Sequence, residues 1–97
     1  MELFKNAAGF EWDSGNRDKN FIRHRVTNEE CEEAFFDPHK RFLTVSSGPP
    51  EDRHLLIAQT QAERLLFIVF TLRRGRIRVI SARDLNRRER HLYEKES

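Results

Sequence analysis

The sequence predicts an α+β fold: a mainly antiparallel sheet with two N-terminal helices and a C-terminal helix, in one domain spanning residues 1–97. Three observations carry this. The apolar run Leu65 to Leu72 suits a central strand buried on both faces. Thr27 with Glu30 three residues on forms a capping box that opens an acidic helix. Candidate helices and strands are segregated along the chain instead of alternating, which is the α+β order.

Phe10-Glu11-Trp12-Asp13 alternates apolar and acidic, so it predicts a short strand with Phe10 and Trp12 on one face. Asp13 or Ser14 can cap a first helix, Asn16 to His24, with Phe21 and Ile22 as its apolar contacts. The second helix spans Asn28 to Phe36. Val26 and Cys31 make its hydrophobic staple, and Cys31, Ala34 and Phe35 form one apolar stripe. Glu29, Glu30, Glu32 and Glu33 surround that stripe, so Cys31 is expected to be a buried apolar residue whose thiol pKa is raised, not a nucleophile. Asp37-Pro38 ends the helix.

Phe42 to Val45 predicts a strand, 47–52 with its Gly48-Pro49-Pro50 a loop, and Leu55 to Thr60 another strand. Gln61 to Arg64 turns into the Leu65 strand. The Arg73-Arg74-Gly75 turn then leads to a strand over Ile77 to Ile80. Ser81, three residues before Asp84, is expected to start the last helix.

A chain of 97 residues buries only about 60–65% of its extended surface, so one small core is expected. Hydrophobic residues are 37% and charged residues 35%, a polar balance that suits a large charged surface or a face completed by a partner. Eight phenylalanines argue against disorder. No apolar run approaches membrane length and no signal peptide is visible, so the expected location is cytoplasmic, away from membranes. One cysteine excludes an internal disulfide.

The basic residues are 14 arginines against 4 lysines. Eight arginines and only two acids fall between Arg73 and Arg90. A guanidinium binds phosphate through two parallel hydrogen bonds, so this clustering points to an anionic ligand, nucleic acid before others. No cysteine pair exists, and His24, His39, His54 and His91 lack ligand spacing, so neither a metal nor a cofactor is expected. Gly-rich phosphate loops and a serine elbow are also absent. The remaining inventory suits metal-independent RNA cleavage. There the 2′-hydroxyl is the nucleophile, and the protein supplies arginines, a base and an acid.

Phe10-Glu11-Trp12-Asp13, Lys19-Asn20, His24, Glu29-Glu30, Ala34-Phe35 and Asp37-Pro38 resemble the front half of a BrnT-type toxin. Arg76 to Arg83 and Arg87-Arg88-Glu89-Arg90 with Tyr93-Glu94 resemble its back half, Ile80-Ser81-Ala82-Arg83 most specifically. The resemblance covers about residues 9 to 95. It implies a RelE-like ribonuclease toxin of a type II toxin–antitoxin pair, which inhibits translation by cutting RNA without a metal. Its implied partners are RNA and a ribbon-helix-helix antitoxin encoded next to it, with operator DNA met only through the antitoxin. A dimer is a further expectation.

Carried over by position, the catalytic candidates are Arg78 on the strand, Arg83 at the helix start, Glu89 and Tyr93 one turn apart on the helix, and His24. Arg76, Arg87 and Arg90 are the RNA-binding candidates. A non-catalytic nucleic-acid-binding or assembly module on the same scaffold is the alternative. The family usually has glycine after this histidine, where the present chain has Arg25. A non-glycine residue there must adopt a strained turn, or the first helix ends differently.

Overall fold

The computed structural model describes residues 9–13, 15–16, 19–43 and 53–94. Helix α1 spans Lys19–His24 and helix α2 Asn28–Ala34. Strands β1 Arg41–Leu43, β2 His54–Gln59, β3 Leu65–Arg73 and β4 Arg76–Asp84 follow, then helix α3 over Arg87–Glu94. The strands form an antiparallel meander in the order β1-β2-β3-β4. The segment around Phe10 lies along the outer edge of β4 through a parallel bridge to Ile77. The expected 47–52 loop, the end of the Phe42–Val45 strand and the capping role of Ser14 lie outside the described residues.

β3 is an interior strand, as its apolar run predicts, but burial alternates along it. Leu66, Ile68 and Phe70 are sealed against the inner core, while Leu65, Phe67 and Val69 on the outer face are half-buried. The inner core joins Leu56, Ala58, Ile77, Val79 and Ala82 to Val26, Cys31, Ala34 and Phe35. Phe35 stands edge-on to both Phe10 and Phe70, with centroids 5.3 and 5.0 Å away. That geometry suits aromatic quadrupoles.

α2 begins with the full capping box: Thr27 Oγ1 accepts from Glu30 N at 3.0 Å, and Glu30 Oε1 accepts from Thr27 N at 2.9 Å. Cys31 is fully buried. Burial, more than its neighbours Glu30 and Glu32, pushes its thiol up to about 12. The first helix is shorter than expected. Asn16 lies in a turn, not a helix, because its amide is used as a buried plug: Nδ2 donates to the carbonyls of Glu11 and Val79, both at 3.1 Å. Ile22 is 77% exposed, so it is not the apolar contact its position suggested.

The last helix also starts later than expected. Ser81, Ala82 and Arg83 stay in β4, paired with Val69, Ile68 and Phe67. The long β3 ladder satisfies their backbone groups, so the Ser81–Asp84 spacing caps nothing. The working box is Asn86 with Glu89: Asn86 Oδ1 accepts from Glu89 N at 2.9 Å, and Glu89 Oε1 accepts from Asn86 N at 3.0 Å. β3 and β4 meet in a two-residue turn in which Arg74 (φ 54°) and Gly75 (φ 78°) both take the left-handed conformation of a type I′ hairpin.

Candidate functional site at the junction of β4 and α3

A β-bulge controls which way the arginines of β4 point. Val69 pairs with Ser81 but its neighbour Phe70 pairs with Val79, so Ile80 is an extra residue. Five positions separate Arg78 from Arg83, and in a regular strand they would face opposite sides. The bulge restores their parity. Arg78 lies opposite Thr71 and Arg83 opposite Phe67, both on the outer face. Thr71 and Phe67 are four residues apart, so the two arginines stand about 13 Å from each other along the sheet.

Arg83 is held on three sides. Its guanidinium stacks over the Phe67 ring, 4.2 Å from the centroid. Nη1 and Nη2 donate to Glu89 Oε1 and Oε2, each at 2.8 Å, a bidentate fork. Nη1 also donates to the Asp84 carbonyl at 3.1 Å. Glu89 is the more enclosed partner, with 14% of its side chain accessible against 36% for Arg83. Its bonds to Arg83 hold its carboxyl below the ordinary range, and the same pairing raises the guanidinium. Arg83 is therefore a strand residue that reaches α3 through its side chain. The helix-start position assigned from sequence does not hold, and the first-turn N–H of Glu89 is already capped by Asn86.

Arg78 sits at the other end of the strand. It donates to Asp13 Oδ2 at 2.6 Å and Glu11 Oε1 at 3.4 Å, and its hydrogen bond holds Asp13 below the ordinary carboxylate range. Arg74, Arg76, Arg87, Arg88 and Arg90 are exposed.

His24 is exposed at the end of α1 and is brought to the junction by Arg64, a residue that sequence reasoning missed. Arg64 Nε donates to Asp84 Oδ1 at 2.7 Å. Nη1 reaches the Arg25 carbonyl at 2.7 Å and Glu30 Oε1 at 3.1 Å, and Nη2 the His24 carbonyl at 3.2 Å. One guanidinium thus caps α1 and ties it to the end of β4. Its hydrogen bonds hold Asp84 below the ordinary range, an effect to which Arg90 and His24 also contribute.

Tyr93 departs from its expected role. Only 7% exposed, it packs with Ile57 and Leu85, and its hydroxyl donates to Asp37 Oδ2 at 2.7 Å. It shares the helix with Glu89 but presents no polar atom to solvent chemistry. Sequence reasoning also missed Asp37, beyond its place at the helix end. The only signal was an acid before proline, a common helix stop. A cleft of about 320 Å³ between α2 and the β2–β3 turn is lined by Glu33, Phe36, His39, Gln61 and Glu63 among others; none of the arginine candidates lines it.

Among the described residues no group of histidine, cysteine and acidic side chains could hold a metal ion, and no helix is long and apolar enough to cross a membrane. The fold and site define a small basic α+β domain whose arginines meet carboxylates where a sheet hands over to its last helix. Residues 12–89 match the model of a family described as the ribonuclease toxin, BrnT, of type II toxin–antitoxin systems. The match spans most of the chain, which therefore belongs to that family. A comparison with curated proteins finds no match.

Proposed function

We propose that this toxin is an endoribonuclease that inhibits translation by cutting RNA without a metal, with its chemistry at the junction of β4 and α3. The observation that carries this is the stacked, forked Arg83–Glu89 pair. A guanidinium fixed on a ring is pre-organised for phosphate. An RNA phosphate competes with Glu89 for the same fork. Once displaced, Glu89 loses the partner that depresses its pKa and becomes a better base.

The 2′-oxygen then attacks the neighbouring phosphorus, and Glu89 takes its proton. Arg83 stabilises the phosphorane charge, the bond from phosphorus to the 5′-oxygen breaks, and His24 supplies the proton to that oxygen. The products are a 2′,3′-cyclic phosphate and a 5′-hydroxyl. Arg78, on the same face, exchanges its bond to Asp13 for a second RNA phosphate, while Arg76, Arg87 and Arg90 hold the RNA strand.

Purified protein should cut RNA in excess EDTA and leave cyclic phosphate ends, and Arg83→Ala and Glu89→Gln should each suppress this. Activity lost with chelator and restored by Mg²⁺ overturns the mechanism. The non-catalytic alternative has one observation in its favour: in the free protein Glu89 is already engaged, and as a lowered acid it is a poor base. RNA binding without cleavage would establish that reading.

The antitoxin partner is proposed to be a ribbon-helix-helix protein encoded alongside, through which alone operator DNA is met. Its acidic segment pairs with Arg78, Arg83, Arg87 and Arg90, while its apolar residues cover half-buried Leu55 and Val69 on the outer face. Joint charge reversal of Arg83 and Arg87 should weaken the complex strongly. Undiminished binding would place the antitoxin elsewhere.

A further inference from the structure

The reading above, on which this inference rests, puts Glu89 on α3. That helix has eight residues, too few to persist alone in water, so whatever holds α3 also aims Glu89. Its N-terminus is held by the Asn86 box. Near its end, Arg41 Nη1 donates to the Leu92 carbonyl. One turn beyond Glu89 comes the buried tie, the Tyr93 hydroxyl on Asp37.

Asp37 gathers three elements on two oxygens. Oδ1 accepts from His39 N at 2.9 Å, where the chain turns toward β1. Oδ2 accepts from Gln59 N at 2.8 Å, at the end of β2, and from Tyr93 Oη at 2.7 Å, on α3. The residue is only 8% exposed. Three donors converge on it and only a carboxylate accepts them all, because an amide would turn its NH₂ toward at least one of them. Loss of one partner from such a buried group carries the full desolvation penalty of what is left.

We propose that Asp37 and Tyr93 are a positioning pair for the nuclease site: the buried carboxylate pins the tyrosine hydroxyl and, through one turn of α3, sets the angle at which Glu89 meets the Arg83 fork. The hydroxyl does not touch RNA. It is buried, its proton is engaged, and burial together with Asp37 raises its pKa above the ordinary tyrosine value, so it remains a donor at working pH.

Tyr93→Phe is the test, because it keeps the ring that fills the Ile57–Leu85 cluster and removes one O–H. In the full chain the rate at saturating RNA should fall about tenfold while RNA affinity stays within about twofold. The Arg83 Nε–H NMR resonance should broaden as the fork loosens, a change that a fold-wide loss of stability alone would not confine to that residue. Asp37→Asn should give the same pattern, and the double variant should be no worse than the poorer single one, as for two ends of one contact.

Tyr93→Phe with parental rate and an unchanged Arg83 signal overturns the proposal. So does a Tyr93→Phe loss that Asp37→Asn does not share, which would put the hydroxyl on the RNA. Should Asp37→Asn fail to fold, Tyr93→Phe and the Arg83 signal decide alone. If the parent protein cuts no RNA, the nuclease reading fails, and the Arg83 signal still tests the pair.

Discussion

On the inner face of the sheet, Leu56, Leu66, Ile68, Phe70 and Val79 are almost wholly buried, and α2 supplies Cys31, Ala34 and Phe35 to complete one apolar layer. On the outer face the same strands present Ile57, Phe67, Val69, Arg78 and Arg83, with a small closed cluster around Leu85 and Tyr93. The inner face is held by volume, and each side chain there is replaceable by another of similar size. The outer face is held by directed bonds, Arg83 to Glu89, Tyr93 to Asp37 and Arg78 to Asp13, which need particular atoms at particular angles. Stability is therefore expected to reside on one face and chemistry on the other.

The largest effect that follows is on the inner face. Phe35→Ala removes a fully buried ring that touches two others and should cost about 3–5 kcal/mol, much of what a domain this small has. Val69→Ala on the outer face should cost about 1 kcal/mol. Urea unfolding of both variants tests the contrast, and equal losses would abolish it. In cleavage the contrast should fall within the outer face. Arg83→Ala should lower the rate by about 100-fold and Arg73→Ala much less, since Arg73 stands at the turn and Arg83 on the Phe67 ring.

Acid should separate the faces too. The folded-state pKa values of Glu89, Asp84 and Asp13 are depressed by Arg83, Arg64 and Arg78 respectively. Their unfolded values are higher, so the unfolded chain binds more protons in the acid range. Their contribution to stability is fully present above about pH 4.5 and is lost as pH falls through the lower folded values. Unfolding free energies measured from pH 6 to pH 3 should decline, and Glu89→Gln should flatten part of the slope. Cys31 has the opposite sign. Its thiol is raised in the fold, so it opposes folding only as pH climbs above the ordinary thiol value near 9. At pH 8 a maleimide should modify it far more slowly in native protein than in denaturant.

The inner face was the legible one. The β3 run, the Thr27–Glu30 box and the Cys31–Ala34–Phe35 stripe are local patterns, and the structure keeps the box, the stripe and the interior place of β3, though it buries that strand fully on one face only. The outer face depends on contacts across long sequence separations. Arg64 meets Asp84, Glu30 and the end of α1, and Asp37 meets Tyr93, and no spacing announces either. The start of α3 was a contest between two boxes, Ser81 with Asp84 and Asn86 with Glu89, and pairing with β3 decided it by carrying the strand four residues further, to Asp84. The arginine cluster was visible, but the parity that puts Arg78 on the same face as Arg83 comes from the bulge at Ile80 and could not be counted from a regular strand.

The smallest expected effect lies at the corner between the helices, where the departure from the family's glycine has its consequence. Arg25 has φ 59°, a left-handed conformation that costs an L-residue roughly 1–2 kcal/mol. Glycine avoids that cost but loses about 0.5–1 kcal/mol more chain entropy on folding. Its carbonyl, and that of His24, are taken by Arg64, and a substitution at position 25 leaves both bonds in place. Arg25→Gly should therefore stabilise the protein by about 0.5–1 kcal/mol, a rise in Tm of roughly 2–6 °C for a domain of this size, with cleavage unchanged. A fall in Tm would mean that the Arg25 side chain contributes more than its backbone costs. The corner would then belong with the outer face, held by directed bonds, instead of being a scaffold turn that Arg64 has made tolerable.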